Sequence, residues 1–70
     1  MELFIGTTIL AARRAKGLIQ ESLAALVGVS AAAVSKWETG ASYPDITLLP
    51  PLARALGMTV DALLDFHQAP

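Results

Sequence analysis

The chain predicts an all-α fold, a compact bundle of five short helices, and three observations lead there. Apolar residues make up 54% of the 70 and aromatics only 6%, with alanine and leucine dominant; that set forms helices rather than sheets. Apolar positions recur three and four apart along most of the chain, the period of a helix with one face in a core. Gly17, Gly28, Gly40 and Gly57 each close such a run, as glycine does at the left-handed residue after a helix. No sheet is expected. A chain of this length buries only about 60% of the surface its unfolded form exposes, so every helix end counts.

The first helix is predicted from Gly6 to Lys16, with Ile5, Ile9, Ala12 and the Lys16 stem inward and Gly17 beyond its end. A second spans Gln20 to Val27, burying Leu23, Ala24 and Val27. Ile19 stands where a capping Ser or Thr would satisfy an orphan N–H, an omission worth about 1 kcal/mol. Ser30 can cap a third helix, Ala31 to Glu38, with Val34 and Trp37 inward; Trp37 is read as core. "ASYPD" is a turn, because Pro44 disfavours helix at Tyr43 and Asp45 suits a turn. Pro50 and Pro51 are tolerated only in a first turn, which points to Thr47 as the cap of a fourth helix burying Leu49, Leu52, Ala53 and Leu56. Thr59 then caps a short fifth helix, Val60 to about Leu64, and the "HQAP" tail is expected to fray. Leu3, Phe4, Leu10, Leu26 and Phe66 fall outside the helical core pattern, and so many unplaced apolar residues point to a partner surface.

Several function classes are excluded on the same page. The chain has no cysteine, so it has no disulfide framework or thiolate metal site, and a reducing cytoplasm is the expected location. His67 is the only histidine and has no companion ligand, so neither a metal nor another cofactor is expected. Ser22, Ser30, Ser35 and Ser42 have structural explanations and no histidine nearby in sequence; a nucleophile needs a positioned base, so no enzyme is expected. Apolar stretches are too short to span a bilayer. "MELFIGTT" carries an acid where an export signal needs positive charge, so the chain is expected to begin here. Net charge is −1 and the isoelectric point about 5.6, which by itself argues against nucleic acid, since such binders usually carry excess Lys and Arg.

The pattern of motifs points the other way. Gln20 to Val27, the three-residue link Gly28-Val29-Ser30, and Ala31 to Glu38 have the layout of a helix-turn-helix, a weak signal alone. Around it stand Arg13 four before Gly17, Gln20-Glu21-x-Leu23-Ala24, Gly28-Val29-Ser30, Ser35-Lys36-Trp37-Glu38-x-Gly40, Pro44-Asp45 and Ala53-x-x-Leu56-Gly57-x-x-Val60-Asp61-x-Leu63-Leu64. With these spacings the chain resembles, from about Ile5 to Leu64, the DNA-binding domain of lambda-repressor-like (Cro/repressor, XRE-type) transcription regulators. The resemblance implies a domain over residues 5–65, flanked by an N-terminal arm (1–4) and a C-terminal tail (66–70). It implies a third helix in the major groove and a second helix whose start meets the phosphate backbone. The residues it places against DNA are Gln20, Ser30, Ala31, Ala32, Ala33, Ser35, Lys36, Thr39, Ser42 and Tyr43. Arg13 and Glu38 match positions that pair across helices one and three; the alternative is two unrelated solvated charges. Arg14 and Lys16 are read as solvated or at most near a phosphate.

The run Ala31-Ala32-Ala33 departs from the family, which favours longer polar side chains at the first two of these positions. Alanine can contact a thymine methyl but cannot make the bidentate contacts worth about 1–3 kcal/mol each, so this helix is expected to dock more than it discriminates. The alternative is that the alanines merely fill a good helix. The implied partner is double-stranded DNA, an operator with related half-sites bound by a homodimer, in a transcription regulator with repression the expected outcome. Family members often carry a separate C-terminal effector region, so the chain is either a whole small regulator or the front of a longer one. A rival function is an antitoxin-like or adaptor module that keeps the scaffold and has lost base reading.

Overall fold

Helix ends decide this architecture, and glycine follows the C-terminal end of four of the five helices. The computed structural model describes residues 2–3, 5–64 and 66–67, with side chains for 5–64. The helices are α1 (Ile5–Ala15), α2 (Gln20–Val27), α3 (Ala31–Thr39), α4 (Leu49–Leu56) and α5 (Val60–Leu64), with one turn of 3₁₀ helix over Ile46–Leu48 ahead of α4. Five helices in this order agree with the all-α bundle expected. Ile5, Ile9, Leu23, Ala24, Val34, Trp37, Leu52, Ala53, Leu56 and Leu63 form one buried cluster to which all five helices contribute. None of the core residues is polar or charged.

The ends show how local chemistry sets the boundaries. Ser30 Oγ accepts from the Ala33 N–H at 3.2 Å and Thr59 Oγ1 from the Ala62 N–H at 3.1 Å, the caps expected for α3 and α5. Ile19 holds the extended conformation of an N-cap but makes no side-chain capping bond. Gly28 lies at φ 86°, and the N–H groups of Gly28 and Val29 both return to the Ala24 carbonyl, at 2.8 and 2.9 Å. That closure turns the chain sharply from α2 into α3.

Four expectations need correction. α1 runs one residue earlier than expected, and Lys16 lies outside it, exposed; its stem lies over Gly57, where an added Cβ would come within 2.8 Å of Nζ. Thr47 is not the cap of the fourth helix. Asp45 caps instead, accepting from the Thr47 N–H at 3.4 Å and the Thr47 hydroxyl at 2.5 Å, because the chain enters α4 through a 3₁₀ turn that moves the cap upstream and leaves Pro50 in the first turn. The absence of a sheet is also overturned: Glu2–Leu3 (β1) pairs antiparallel with Phe66–His67 (β2), Glu2 opposite His67 and Leu3 opposite Phe66. Its physical reason is non-local, since α1 packs against α5 and so brings the two flanking segments side by side. His67 therefore belongs to a strand rather than a frayed tail, and the rest of that expectation, Gln68 to Pro70, lies outside the described residues. Of the apolar residues expected outside the core pattern, Leu26 is exposed and Leu10 partly so, while the side chains of Leu3, Phe4 and Phe66 lie outside the described residues. The large apolar side chains most exposed are Ile19, Leu26, Tyr43 and Ile46.

Candidate nucleic-acid interface

The face of α3 opposite the core is set by the 3.6-residue period. Val34 and Trp37 are buried, which turns Ala32, Lys36 and Thr39, spaced four and three apart, out to solvent. Ala31 and Ala33 are half-buried against the core, so of the three alanines only Ala32 is fully presented; Ser35 is intermediate and Ser30 exposed. At the far end the Lys36 carbonyl accepts from the Ala41 N–H at 2.9 Å, the Ser42 N–H at 3.3 Å and the Thr39 hydroxyl at 3.2 Å. These bonds wind the chain tightly past Gly40 and hold the segment leading to Ser42 and Tyr43, both exposed, against the C-terminal end of α3.

Arg13 and Glu38 pair as expected. Arg13 Nε donates to Glu38 Oε2 at 2.7 Å and Nη2 to Oε1 at 3.1 Å, a two-pronged geometry that suits guanidinium and carboxylate. The pair is largely shielded, the two side chains retaining 12% and 4% of their exposure. Burial pushes the Glu38 carboxyl up, but the hydrogen bonds from Arg13 and Gln20 and the charges of Arg13 and Arg14 outweigh it and leave the group below the ordinary carboxylate range. The hydrogen bond to Glu38 correspondingly raises Arg13.

Two contacts were not legible beforehand. Arg13 Nη1 donates to the Leu18 carbonyl at 2.9 Å, fixing the link into α2. Gln20 Nε2 donates to Glu38 Oε1 at 2.9 Å across 18 positions of sequence, where no local pattern connects the two. Gln20, assigned from the resemblance to the phosphate backbone, is thus tied to the end of α3 as well. The exposed residues Ala32, Lys36, Thr39, Ser42 and Tyr43 form a run along α3 and past its end, with Gln20, half-buried, bonded to Glu38 near that end.

An α2–turn–α3 pair locked to α1 by a shielded ion pair defines a helix-turn-helix domain. The helix-turn-helix family model matches residues 9–63, and the chain belongs to that family. Over 52 residues it is 42% identical to the HTH-type transcriptional activator BcrR of Enterococcus faecalis, a match covering 74% of this chain and 26% of BcrR; the chain therefore spans about a quarter of that relative's length. Among solved structures it is similar to the P22 c2 repressor protein in complex with a synthetic operator, at 36% identity and TM-score 0.83, covering 91% of this chain and 96% of the other. It is also similar to SinR, a master regulator for biofilm formation, in complex with DNA, at 32% identity and TM-score 0.80 over 87% and 98% of the two chains. These likenesses bear out the resemblance to lambda-repressor-like domains.

Proposed function

We propose that this domain binds duplex DNA in transcription regulation, with α3 in the major groove. The observation that carries the reading is the distribution of charge on α3. Lys36 and Glu38 are the helix's only charged residues; Glu38 is turned inward and neutralised by Arg13, so the charge presented to solvent is the Lys36 ammonium, one turn beyond Ala32. The overall charge of −1 is thereby compatible with a locally positive reading face, which is what a polyanion meets. Ala32 is assigned to a base edge, Lys36 to a base or phosphate, Gln20 to a phosphate, and Thr39, Ser42 and Tyr43 to the backbone, with Ser30 and Ser35 flanking them. Ala31 and Ala33 contribute by letting the helix approach closely. The P22 c2 repressor and SinR, seen with operator and with DNA, support the DNA-binding reading.

The domain acts as a homodimer on related half-sites, in the cytoplasm, without catalysis and without a cofactor. Exposed Tyr43 and Ile46 support self-association. They edge an apolar groove of about 230 Å³ lined also by Ile5, Pro44, Leu49 and Leu64. No helix among the described residues is long and apolar enough to cross a membrane.

Selection of bound duplexes from a random pool tests the reading, followed by fluorescence anisotropy of Lys36→Ala across a salt series. Two related half-sites are expected in the recovered sequences. Lys36→Ala should weaken binding and, if its contact is to phosphate, reduce the salt slope by about 1. A failure to recover any duplex, or unchanged affinity and slope in a folded variant, would remove α3 from the groove.

A further inference from the structure

We infer that Glu38 is a positioning residue for the DNA contact of Gln20: it accepts one N–H of the Gln20 amide and so dictates which atoms of that amide face the phosphate. The inference rests on the DNA-binding reading above. A glutamine amide carries an acceptor oxygen and a donor nitrogen on one planar group, so turning it over exchanges which of the two a neighbour meets. Here the choice is made by chemistry. The carboxylate of Glu38 only accepts, and both of its oxygens already face Arg13 donors, at 2.7 and 3.1 Å. An amide oxygen turned toward it would meet a second acceptor, so only the nitrogen fits, and Nε2 sits 2.9 Å from Oε1. One N–H is thus spent inward, and the second is left for an acceptor outside the domain.

The backbone is set by the same group of side chains. Arg13, held by Glu38, donates to the Leu18 carbonyl at 2.9 Å, two residues before Gln20, while Ile19 between them provides no cap. The start of α2 is therefore held through Arg13 and Glu38 rather than by a local capping side chain. Glu38 lies in the last turn of α3, so the arrangement couples the phosphate contact of α2 directly to the placement of the reading helix. A donor that is already oriented and immobilised when DNA arrives loses less freedom on binding than a mobile one.

A double-mutant cycle on the duplex recovered from the random pool distinguishes positioning from mere structural support. Gln20→Ala alone is expected to weaken binding about tenfold, the worth of a charge-assisted hydrogen bond of moderate strength. In a Glu38→Ala background the same change should cost less than twofold, because the amide is no longer aimed. Where Glu38→Ala does not fold, Glu38→Gln serves; its carboxamide presents one oxygen and one NH2 group where the carboxylate presented two acceptors, so it no longer excludes either orientation of the Gln20 amide. In the NMR spectrum of the free wild-type domain, the two Gln20 side-chain amide protons should be well separated and collapse toward each other in either Glu38 variant. On adding duplex, the proton not held by Glu38 should shift more. Equal losses for Gln20→Ala in both backgrounds, or side-chain amide protons that do not respond to the Glu38 variants, would overturn the positioning role while leaving DNA binding intact. Failure of the wild type to bind any duplex would instead overturn the reading on which it rests.

Discussion

At the residue scale, Glu38 carries the largest consequences. Its carboxylate retains 4% of its exposure and receives donors from Arg13 and Gln20, so removing it leaves the Arg13 charge without compensation. Glu38→Ala should cost about 3 kcal/mol, the lower end of the range for breaking a buried pair from one side, because Arg13 lies nearer the surface and can turn to water. Chemical denaturation with unchanged slope measures it. The pH dependence follows from the sign of the shift: Glu38 is lower in the folded chain than in the unfolded one, so its contribution is fully present above the ordinary glutamate range and is lost as pH falls through the lowered folded value. Asp45, lowered by hydrogen bonds from the Thr47 side chain and backbone, acts in the same direction. Melting temperature should therefore fall on acidification below about pH 4.5, and Glu38→Gln should flatten that fall.

Elements meet at two places where sequence-level preference and tertiary geometry can be separated by mutation. Ile19 is extended, uncapping and 61% exposed, so a hydroxyl there gains a cap and gives up little packing. Ile19→Thr should stabilise the domain by up to about 1 kcal/mol; a lower melting temperature would show that the isoleucine side chain is worth more than the cap. Gly6 gives the opposite case. Alanine is the better helix former by about 1 kcal/mol, and Gly6 lies in the first turn of α1, so propensity alone favours Gly6→Ala. A Cβ there, however, would collide with the Trp37 carbonyl oxygen and come within 3.1 Å of that of Glu38. Both are backbone atoms that cannot swing aside. Gly6→Ala should therefore destabilise by about 1–3 kcal/mol and, by pushing the end of α3 away from α1, loosen the Arg13–Glu38 pair. Thermal melts of the two variants, run together, check both signs.

For the whole molecule, the surface proposed to meet DNA offers at Ala32 an exposed methyl group where a donor could stand. Ala32 is exposed on the same face as Lys36, so Ala32→Gln should add a preference at one base position per half-site. One bidentate contact to adenine is worth about 1–3 kcal/mol against a wrong base. The helix should tolerate the change, which costs only a few tenths of a kcal/mol in propensity. Binding-site profiles of wild type and variant from one random pool at one salt concentration measure the gain. Identical profiles from a folded variant would mean that Ala32 does not look into the groove.

Boundaries and inward faces were legible in the residues because they depend on local chemistry. Glycine tolerates positive φ at Gly17, Gly28, Gly40 and Gly57, the Ser30 and Thr59 hydroxyls reach N–H groups three residues on, and the helical period sends Val34 and Trp37 to one side and Lys36 to the other. The Arg13–Glu38 pair was legible only through the family resemblance, since 25 positions separate its members. What the tertiary structure alone decided is where distant segments touch. No local rule links Gln20 to Glu38, brings the backbone of Trp37 against Gly6, or sets Glu2–Leu3 beside Phe66–His67. Each depends on how closely two helices approach and at what rotation, and that is settled by the packing of the shared core around Ile9, Leu23, Leu52 and Leu63, not by the propensity of any one stretch.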